Sequence, residues 1–291
     1  GFDKNGVTLP ALGALGFGFV EVGTITPLPQ EGNPRPRIFR LKADRALINR
    51  MGLPGVGVEA AARNLDRAAA GVFGLNVGPN KDRVEQTDEE VARVVGHLER
   101  FRPAYFVVNV SSPNTARLRD LQGKEALHRL LSRILASRPG APGAAPLLLK
   151  IAPDLTDRDL DDILQVVTDL GLPGVVATNT TTSRPASLRS PARGEQGGLS
   201  GRPLVPLADR VIARVYQQTR GRVAILAAGG VFTGRDVLAK IAAGATAVQT
   251  YTGFVYRGPA TALRIKREIA AELDRRGVAA IGEVRGAGAL D

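Results

Sequence analysis

Seven short apolar runs punctuate the chain, and each stops on a polar residue or a glycine. Residues 17–22 end at Gly23-Thr24, 72–75 at Asn76, 104–108 at Asn109 and 147–149 at Lys150; residues 175–177 end at Thr178-Asn179, 223–226 at Gly229-Gly230 and 247–250 at Tyr251-Thr252. Runs this short, rich in Val and Leu and without polar alternation, fit strands covered on both faces, as parallel strands flanked by helices are. Amphipathic stretches separate them, at residues 59–69, 88–100, 124–137, 157–170, 204–219, 234–243 and 261–275. Thr87-Asp88-Glu89-Glu90 and Thr156-Asp157 read as helix starts.

Strand and helix alternation over 291 residues predicts an α/β protein of the eight-stranded β/α barrel class, a single domain over 1–291, rather than two open-sheet domains. Seven strands are visible, so the first is expected to lie largely upstream of Gly1, with Lys4 near its C-terminal end. Barrel active sites form at the rim where the strands end, and every polar strand end above falls there. Two insertions interrupt the alternation: residues 26–50, with Pro27, Pro29, Pro34 and Pro36, and residues 180–203, with four Gly and three Pro. Insertions of that length are usually functional, and the second is expected to act as a lid over the rim.

The strand end Asn109-Val110-Ser111-Ser112-Pro113-Asn114-Thr115 concentrates two Asn and two Ser. The chain has no Cys, so acid-base chemistry at this loop falls to a hydroxyl, with Ser112 as candidate base. The same absence excludes disulfides and Cys-ligated zinc or iron-sulfur centres. The two His, His97 and His128, lie in separate predicted helices and support neither a metal site nor a Ser-His triad. Gly229-Gly230, Tyr251-Thr252-Gly253 and Gly197-Gly198-Leu199-Ser200-Gly201 suggest a phosphate held by backbone N–H groups after the last two strands. The net charge of +11 comes without any basic block interleaved with aromatics, which make up 4% of residues. It is read as solvated helix surface, with attraction to an anionic membrane second and nucleic acid not expected.

Several segments together resemble dihydroorotate dehydrogenase over nearly the whole chain: Gly1-Phe2-Asp3-Lys4-Asn5-Gly6, Gly23-Thr24-Ile25-Thr26-Pro27, Ile48-Asn49-Arg50-Met51-Gly52, the Asn109 to Thr115 loop, Lys150-Ile151-Ala152-Pro153-Asp154, Ala177-Thr178-Asn179-Thr180-Thr181 and the stretch 197–203. The quinone-dependent, membrane-associated class is the one it resembles, because that class carries Ser where the others carry a Cys base. The resemblance implies FMN as cofactor, oxidation of (S)-dihydroorotate to orotate in pyrimidine synthesis, and a quinone as final acceptor. It implies FMN contacts from Lys4, Thr24, Asn76, Asn109, Lys150, Thr178, Gly201, Gly230, Tyr251 and Thr252. Substrate contacts are implied for Lys4, Asn49, Arg50, Met51, Gly52, Leu53, Asn109, Asn114, Asn179 and Thr180, and a quinone-site role for Arg40.

The chemistry of these side chains agrees with the assignment. Asn amides can donate to a carboxylate and carbonyls and accept from ring N–H groups, which suits a planar ligand such as orotate. Lys4 would neutralise substrate charge, and Lys150 would meet the charge that develops near flavin N1. Ser112 is a weak base at neutral pH, and Thr115 is placed to hold a proton-accepting water. The family's aromatic shield over that water is replaced by Leu53, followed by Pro54 and Gly55. The family's N-terminal helical extension, which builds the quinone tunnel and rests on the cytoplasmic face of the cell membrane, is absent from this sequence, so the chain is expected to be a fragment. A flavin-dependent tRNA dihydrouridine synthase is the rival enzyme, and a non-catalytic barrel binding a phosphorylated ligand is the rival from another class. The lack of Cys argues against the first.

Overall fold

The structure is a computed structural model that describes residues 1–138 and 143–289. In chain order its strands are β1 (Val20–Ile25), β2 (Ile38–Leu41), β3 (Ala46–Asn49), β4 (Phe73–Val77), β5 (Tyr105–Asn109), β6 (Leu147–Ile151), β7 (Gly174–Ala177), β8 (Gly198–Gly201), β9 (Ala224–Ala228) and β10 (Ala247–Gln249). Its helices are α1 (Leu9–Ala14), α2 (Gly57–Ala68), α3 (Thr87–Leu98), α4 (Lys124–Ser137), α5 (Asp157–Asp169), α6 (Val205–Thr219), α7 (Gly234–Ala242), α8 (Thr252–Arg257) and α9 (Thr261–Arg276). All seven predicted strands and all seven predicted helices are present. Helices α1 and α8 and strands β2, β3 and β8 are additions.

The chain divides into two compact units. The first comprises residues 1–37, 50–150 and 156–172. Its strands run parallel in the order β1, β4, β5, β6, with registers such as Val22 against Leu75, Leu75 against Phe106 and Val108 against Leu149. Those side chains are fully buried, and each contributes roughly 1.5–3 kcal/mol by leaving water. No strand precedes β1 among the described residues, but the Gly23 N–H donates to the Asp3 carbonyl at 2.8 Å, on β1. The Asp3 side chain fixes this entry segment by accepting from the N–H groups of Asn5, Gly6, Val7 and Thr8 and from the Thr8 hydroxyl. Burial alone would push its carboxyl up, yet those hydrogen bonds, led by Thr8, hold it below the usual range.

The second unit comprises residues 38–49, 151–155 and 173–291. Strands β7, β9 and β10 are parallel. A separate antiparallel sheet, β2-β3-β8, is built from the two insertions. Leu41, Ala46, Ile48, Leu188 and Leu199 form its core, with Phe39 and Ala192 against it. The 180–203 insertion is therefore no unanchored loop. Thr181 and Leu199 exchange backbone hydrogen bonds, Arg184 donates to the carbonyls of Glu195 and Gly197, and Asp44 accepts from the N–H groups of Arg189 and Ser190.

The two helix starts read from the sequence differ. Thr156 caps α5, accepting from the Asp159 N–H at 3.2 Å while Asp159 accepts from Thr156. Thr87 does not cap α3: it lies inside the helix, after a turn at Val84–Gln86, and its hydroxyl donates to the Val84 carbonyl. Removing the true cap should cost about 1 kcal/mol, so Thr156→Ala should unfold at measurably lower urea than wild type.

Candidate active site

In the first unit the ends of β1, β4, β5 and β6 carry a connected polar network. Glu21 on β1 is enclosed, with 9% of its side chain exposed, and its Oε1 accepts from Lys150 Nζ at 3.3 Å and from Asn76 Nδ2 at 2.9 Å. Asn76 Oδ1 accepts from the Thr24 hydroxyl at 2.7 Å, and Thr24 Oγ1 accepts from Asn109 Nδ2 at 2.9 Å. Asn109 Oδ1 then accepts from the N–H and hydroxyl of Ser111. The orientation of both amides follows from the carboxylate at one end, since only Nδ2 of Asn76 can face Glu21. Four predicted residues, Thr24, Asn76, Asn109 and Lys150, are thus brought together.

Lys4 belongs to the same unit. Its ammonium is pushed down to about 8, first by burial and then by the positive charges of Arg37 and Lys150. Lys150 is partly offset by Glu21, so Lys4 is the less compensated cation, and the pair suits an anionic ligand. Arg37 is held in place by the carbonyls of Glu31 and Asn33.

The loop that carries Ser112 follows β5. Ser112 is buried at 7% exposure, and its Oγ accepts from the Asn114 N–H at 3.3 Å. Three residues on, the Thr115 hydroxyl is buried with no hydrogen-bond partner, the kind of orphan that a bound water or ligand satisfies. Asn33 ties this loop to the 50–53 turn: its Nδ2 donates to the Asn114 carbonyl at 3.2 Å and its N–H to the Met51 carbonyl at 2.9 Å. Gly52 has φ +70, and a Cβ there would stand 2.6 Å from the Asn33 side chain, so only glycine fits. Arg50, Met51, Gly52 and Leu53 thereby lie beside the Asn114 loop. Leu53 is buried at 7% although its φ is +51, a left-handed conformation that costs a non-glycine residue about 1–2 kcal/mol. Gln30 supports it by donating to the Leu53 carbonyl at 2.7 Å. An apolar side chain is retained here at a backbone cost.

The second unit carries its own group. Asn49 on β3 sits opposite Gly198 on β8 and donates to its carbonyl at 3.4 Å. Thr178, at the end of β7, donates its hydroxyl to the Asn179 carbonyl, and Asn179 Oδ1 accepts from the Thr180 N–H at 2.8 Å. Asp154 braces this segment by accepting from the Thr181 hydroxyl and the Thr182 N–H. The glycine segments also converge: a Cβ on Gly201, at φ +96, would lie 2.3 Å from the Arg45 carbonyl and 3.1 Å from Thr252, while one on Gly230 would lie 2.1 Å from Val205 and 3.2 Å from the Gly201 carbonyl. Their glycine identity is therefore demanded by the protein's own backbone. Ser200 and Thr252 share a 2.8 Å hydroxyl contact, and Tyr251 stands 43% exposed next to Thr252.

Arg40 is an exposed side chain on β2, and its guanidinium lies 5.7 Å from the centre of the Tyr256 ring. Tyr256 in turn donates to the Ala46 carbonyl at 2.9 Å. Tyr256, Glu21, Gln30 and Asn33 were missed from the sequence. Glu21 had a visible signal, a carboxylate inside an otherwise apolar run; the others had none. His97 lies 4.0 Å from Glu59 and His128 3.4 Å from Ser132, and no cluster of metal-ligating side chains occurs among the described residues. No described helix is long and apolar enough to cross a membrane.

Residues 1–273 match the family model described as Dihydroorotate dehydrogenase. The chain belongs to the dihydroorotate dehydrogenase family. It is 50% identical over 292 aligned residues to the Rhodospirillum rubrum protein named Dihydroorotate dehydrogenase (quinone), covering 99% of this chain and 78% of that one. It is 47% identical to the mitochondrial protein of that name from Mus musculus, over 95% of this chain and 72% of the relative. A solved structure from Eimeria tenella, of DHODH in complex with ferulenol, aligns with TM-score 0.94 at 40% identity, covering 99% of this chain and 83% of the other. The fold class is that of the family, the β/α barrel.

The family implies a flavin cofactor. The residues present fit one, since the half-buried Lys4, the Lys150 ammonium and the oriented amides of Asn76 and Asn109 offer charge and directed hydrogen bonds to an anionic, planar group. The free protein holds Lys4 near 8 instead of the usual 10.5. Between those values the unfolded chain keeps a proton that the folded chain has shed, so this group's contribution to stability grows as pH rises from 8 to 10.5. An anion beside Lys4 reverses the shift and binds with proton uptake. Affinity for a planar heteroaromatic carboxylate should therefore fall above pH 8, by up to about tenfold per pH unit. Titration calorimetry should find that Lys4→Met flattens that dependence.

Proposed function

We propose that the chain is an oxidoreductase of pyrimidine synthesis that converts (S)-dihydroorotate to orotate, with FMN as its flavin and a quinone as final acceptor, and that it acts as one catalytic domain. The observation that carries the reading is the Asn109–Thr115 loop, where the buried Ser112 hydroxyl and the unpartnered Thr115 hydroxyl stand three residues apart. The shared name of the relatives supports the substrate and acceptor.

FMN, when bound, supplies the hydride-accepting atom. By the family resemblance, Lys4, Thr24, Asn76, Asn109, Lys150, Thr178, Gly201, Gly230, Tyr251 and Thr252 are the residues that would hold it. Lys4, Arg50, Met51, Gly52, Leu53, Asn109 and Asn114, with Asn49, Asn179 and Thr180, would hold the substrate. Ser112 removes the C5 proton of dihydroorotate. Its Oγ already accepts the Asn114 N–H, and that donor strengthens as the oxygen gains negative charge. Thr115 holds the water that relays the proton onward, and the buried Leu53 excludes bulk solvent from it. Arg40 and Tyr256 would meet the quinone. Because a long-chain quinone resides in lipid, the working enzyme is placed as a peripheral protein at the cytoplasmic face of the cell membrane. Co-sedimentation with anionic vesicles carrying quinone tests that placement, and no binding at low salt would remove it.

Ser112→Ala should slow flavin reduction by dihydroorotate by roughly 10² to 10⁴ with FMN still bound, and wild-type-like stopped-flow rates would overturn the assignment. The wild-type reductive step should accelerate toward alkaline pH; a flat profile between about pH 6 and 9 would point to another base. On the oxidative side, Arg40→Ala should raise the KM for quinone several-fold and leave dihydroorotate-dependent flavin reduction unchanged. Equal quinone kinetics in the two proteins would place the acceptor elsewhere.

A further inference from the structure

Glu21 has no role in the proton transfer described above, yet it is an enclosed carboxylate tied to two residues of the candidate site. It sits on β1 between Val20 and Val22, nine-tenths enclosed, in a strand whose neighbours are apolar. Removing a carboxylate from water costs several kcal/mol unless it is paired and hydrogen-bonded, so a Glu here that only filled space would be worse than the Val or Thr that suit a strand. It is paired, with Lys150 Nζ at 3.3 Å, and hydrogen-bonded, by Asn76 Nδ2 at 2.9 Å. Both partners are residues proposed to touch the flavin. Lys150 acts on Lys4 as a like charge, and Glu21 is the carboxylate that pairs with it.

We propose that Glu21 is a positioning residue that anchors the Lys150 ammonium and reduces the positive charge the flavin meets there, setting the flavin's reduction potential below what Lys4 and Lys150 alone would give. The inference rests on the reading that Lys150 contacts the flavin. A negative charge held close to a flavin disfavours its reduced, anionic form, and a paired ammonium presents a weaker field than a lone one. The carboxylate therefore trades driving force in flavin reduction for driving force in flavin reoxidation. Glu21 does this without touching substrate or reacting atoms.

The test compares purified, flavin-loaded wild type with Glu21→Gln, Glu21→Asp, Lys150→Met and the Glu21→Gln/Lys150→Met double variant. Two readouts are used, the flavin midpoint potential from dye equilibration and the affinity of the apoprotein for FMN. Glu21→Gln keeps an acceptor for Asn76 and should favour reduced over oxidised flavin by about tenfold relative to wild type, a rise of about 30 mV for a two-electron couple. Glu21→Asp, which keeps the charge, should stay near wild type. A loaded, folded Glu21→Gln protein with the wild-type potential, or with a lower one, overturns the proposal. Wild-type potential and flavin affinity in Lys150→Met would instead remove the reading that Lys150 meets the flavin. Should Glu21→Gln fail to fold, the double variant leaves neither charge unpaired, and its potential should exceed that of Lys150→Met alone. Equal potentials in those two proteins would also overturn the proposal.

Discussion

A charge buried in an apolar strand has to be satisfied, and that constraint organises the first unit. Glu21 cannot reach water freely, so Lys150 and Asn76 must both face it. Once Asn76 presents its Nδ2 to the carboxylate, its oxygen must face Thr24, and the Thr24 hydroxyl oxygen is then open to Asn109. Asn109 is left presenting its oxygen to Ser111, one residue before the candidate base. Four strand ends are thus locked to one another by the direction of their hydrogen bonds rather than by packing alone. Such a chain is preorganised, because no member can rotate without leaving a buried partner unsatisfied.

The parallel strands and their helices were legible in the sequence because nothing competes with them. Residues such as Leu75, Val107 and Leu149 are buried on strands enclosed along their whole length or nearly so, so the apolar run itself is the signal. The antiparallel sheet was not legible for the opposite reason. Strand β2 alternates exposed and half-buried positions within a Pro-rich stretch, and β8 is Gly198-Leu199-Ser200-Gly201, whose two glycines favour loop over strand. Both acquire their conformation from β3, which lies between them. Local propensity carried no trace of that pairing.

Much of the candidate site was legible as well, since polar residues at the ends of apolar runs have few other reasons to gather. What the sequence left out were the residues that hold the others still. Asn33, Gln30, Glu21 and Tyr256 make contacts distant in the chain, as in the 81 residues between Asn33 and Asn114 or the 210 between Ala46 and Tyr256. The glycine clusters, which suggest a bound phosphate in the sequence, have a second, steric reason in the structure. Gly201 and Gly230 admit no Cβ because Arg45 and Val205 already occupy the space, a steric demand of the chain on itself that holds with or without a ligand.

The pairing of β3 with β8 has a consequence for how the molecule is made. Asn49 and Gly198 are neighbours in the sheet and 149 residues apart in the chain. At synthesis rates of about 5–20 residues per second, β3 waits roughly 7–30 s for its partner to emerge. During that interval Ala46, Leu47 and Ile48 form an open, apolar strand edge, the kind of template that recruits other chains. Nascent-chain protection by chaperones, and expression slowed enough to let them act, therefore bear on the yield of this protein more than its finished stability does.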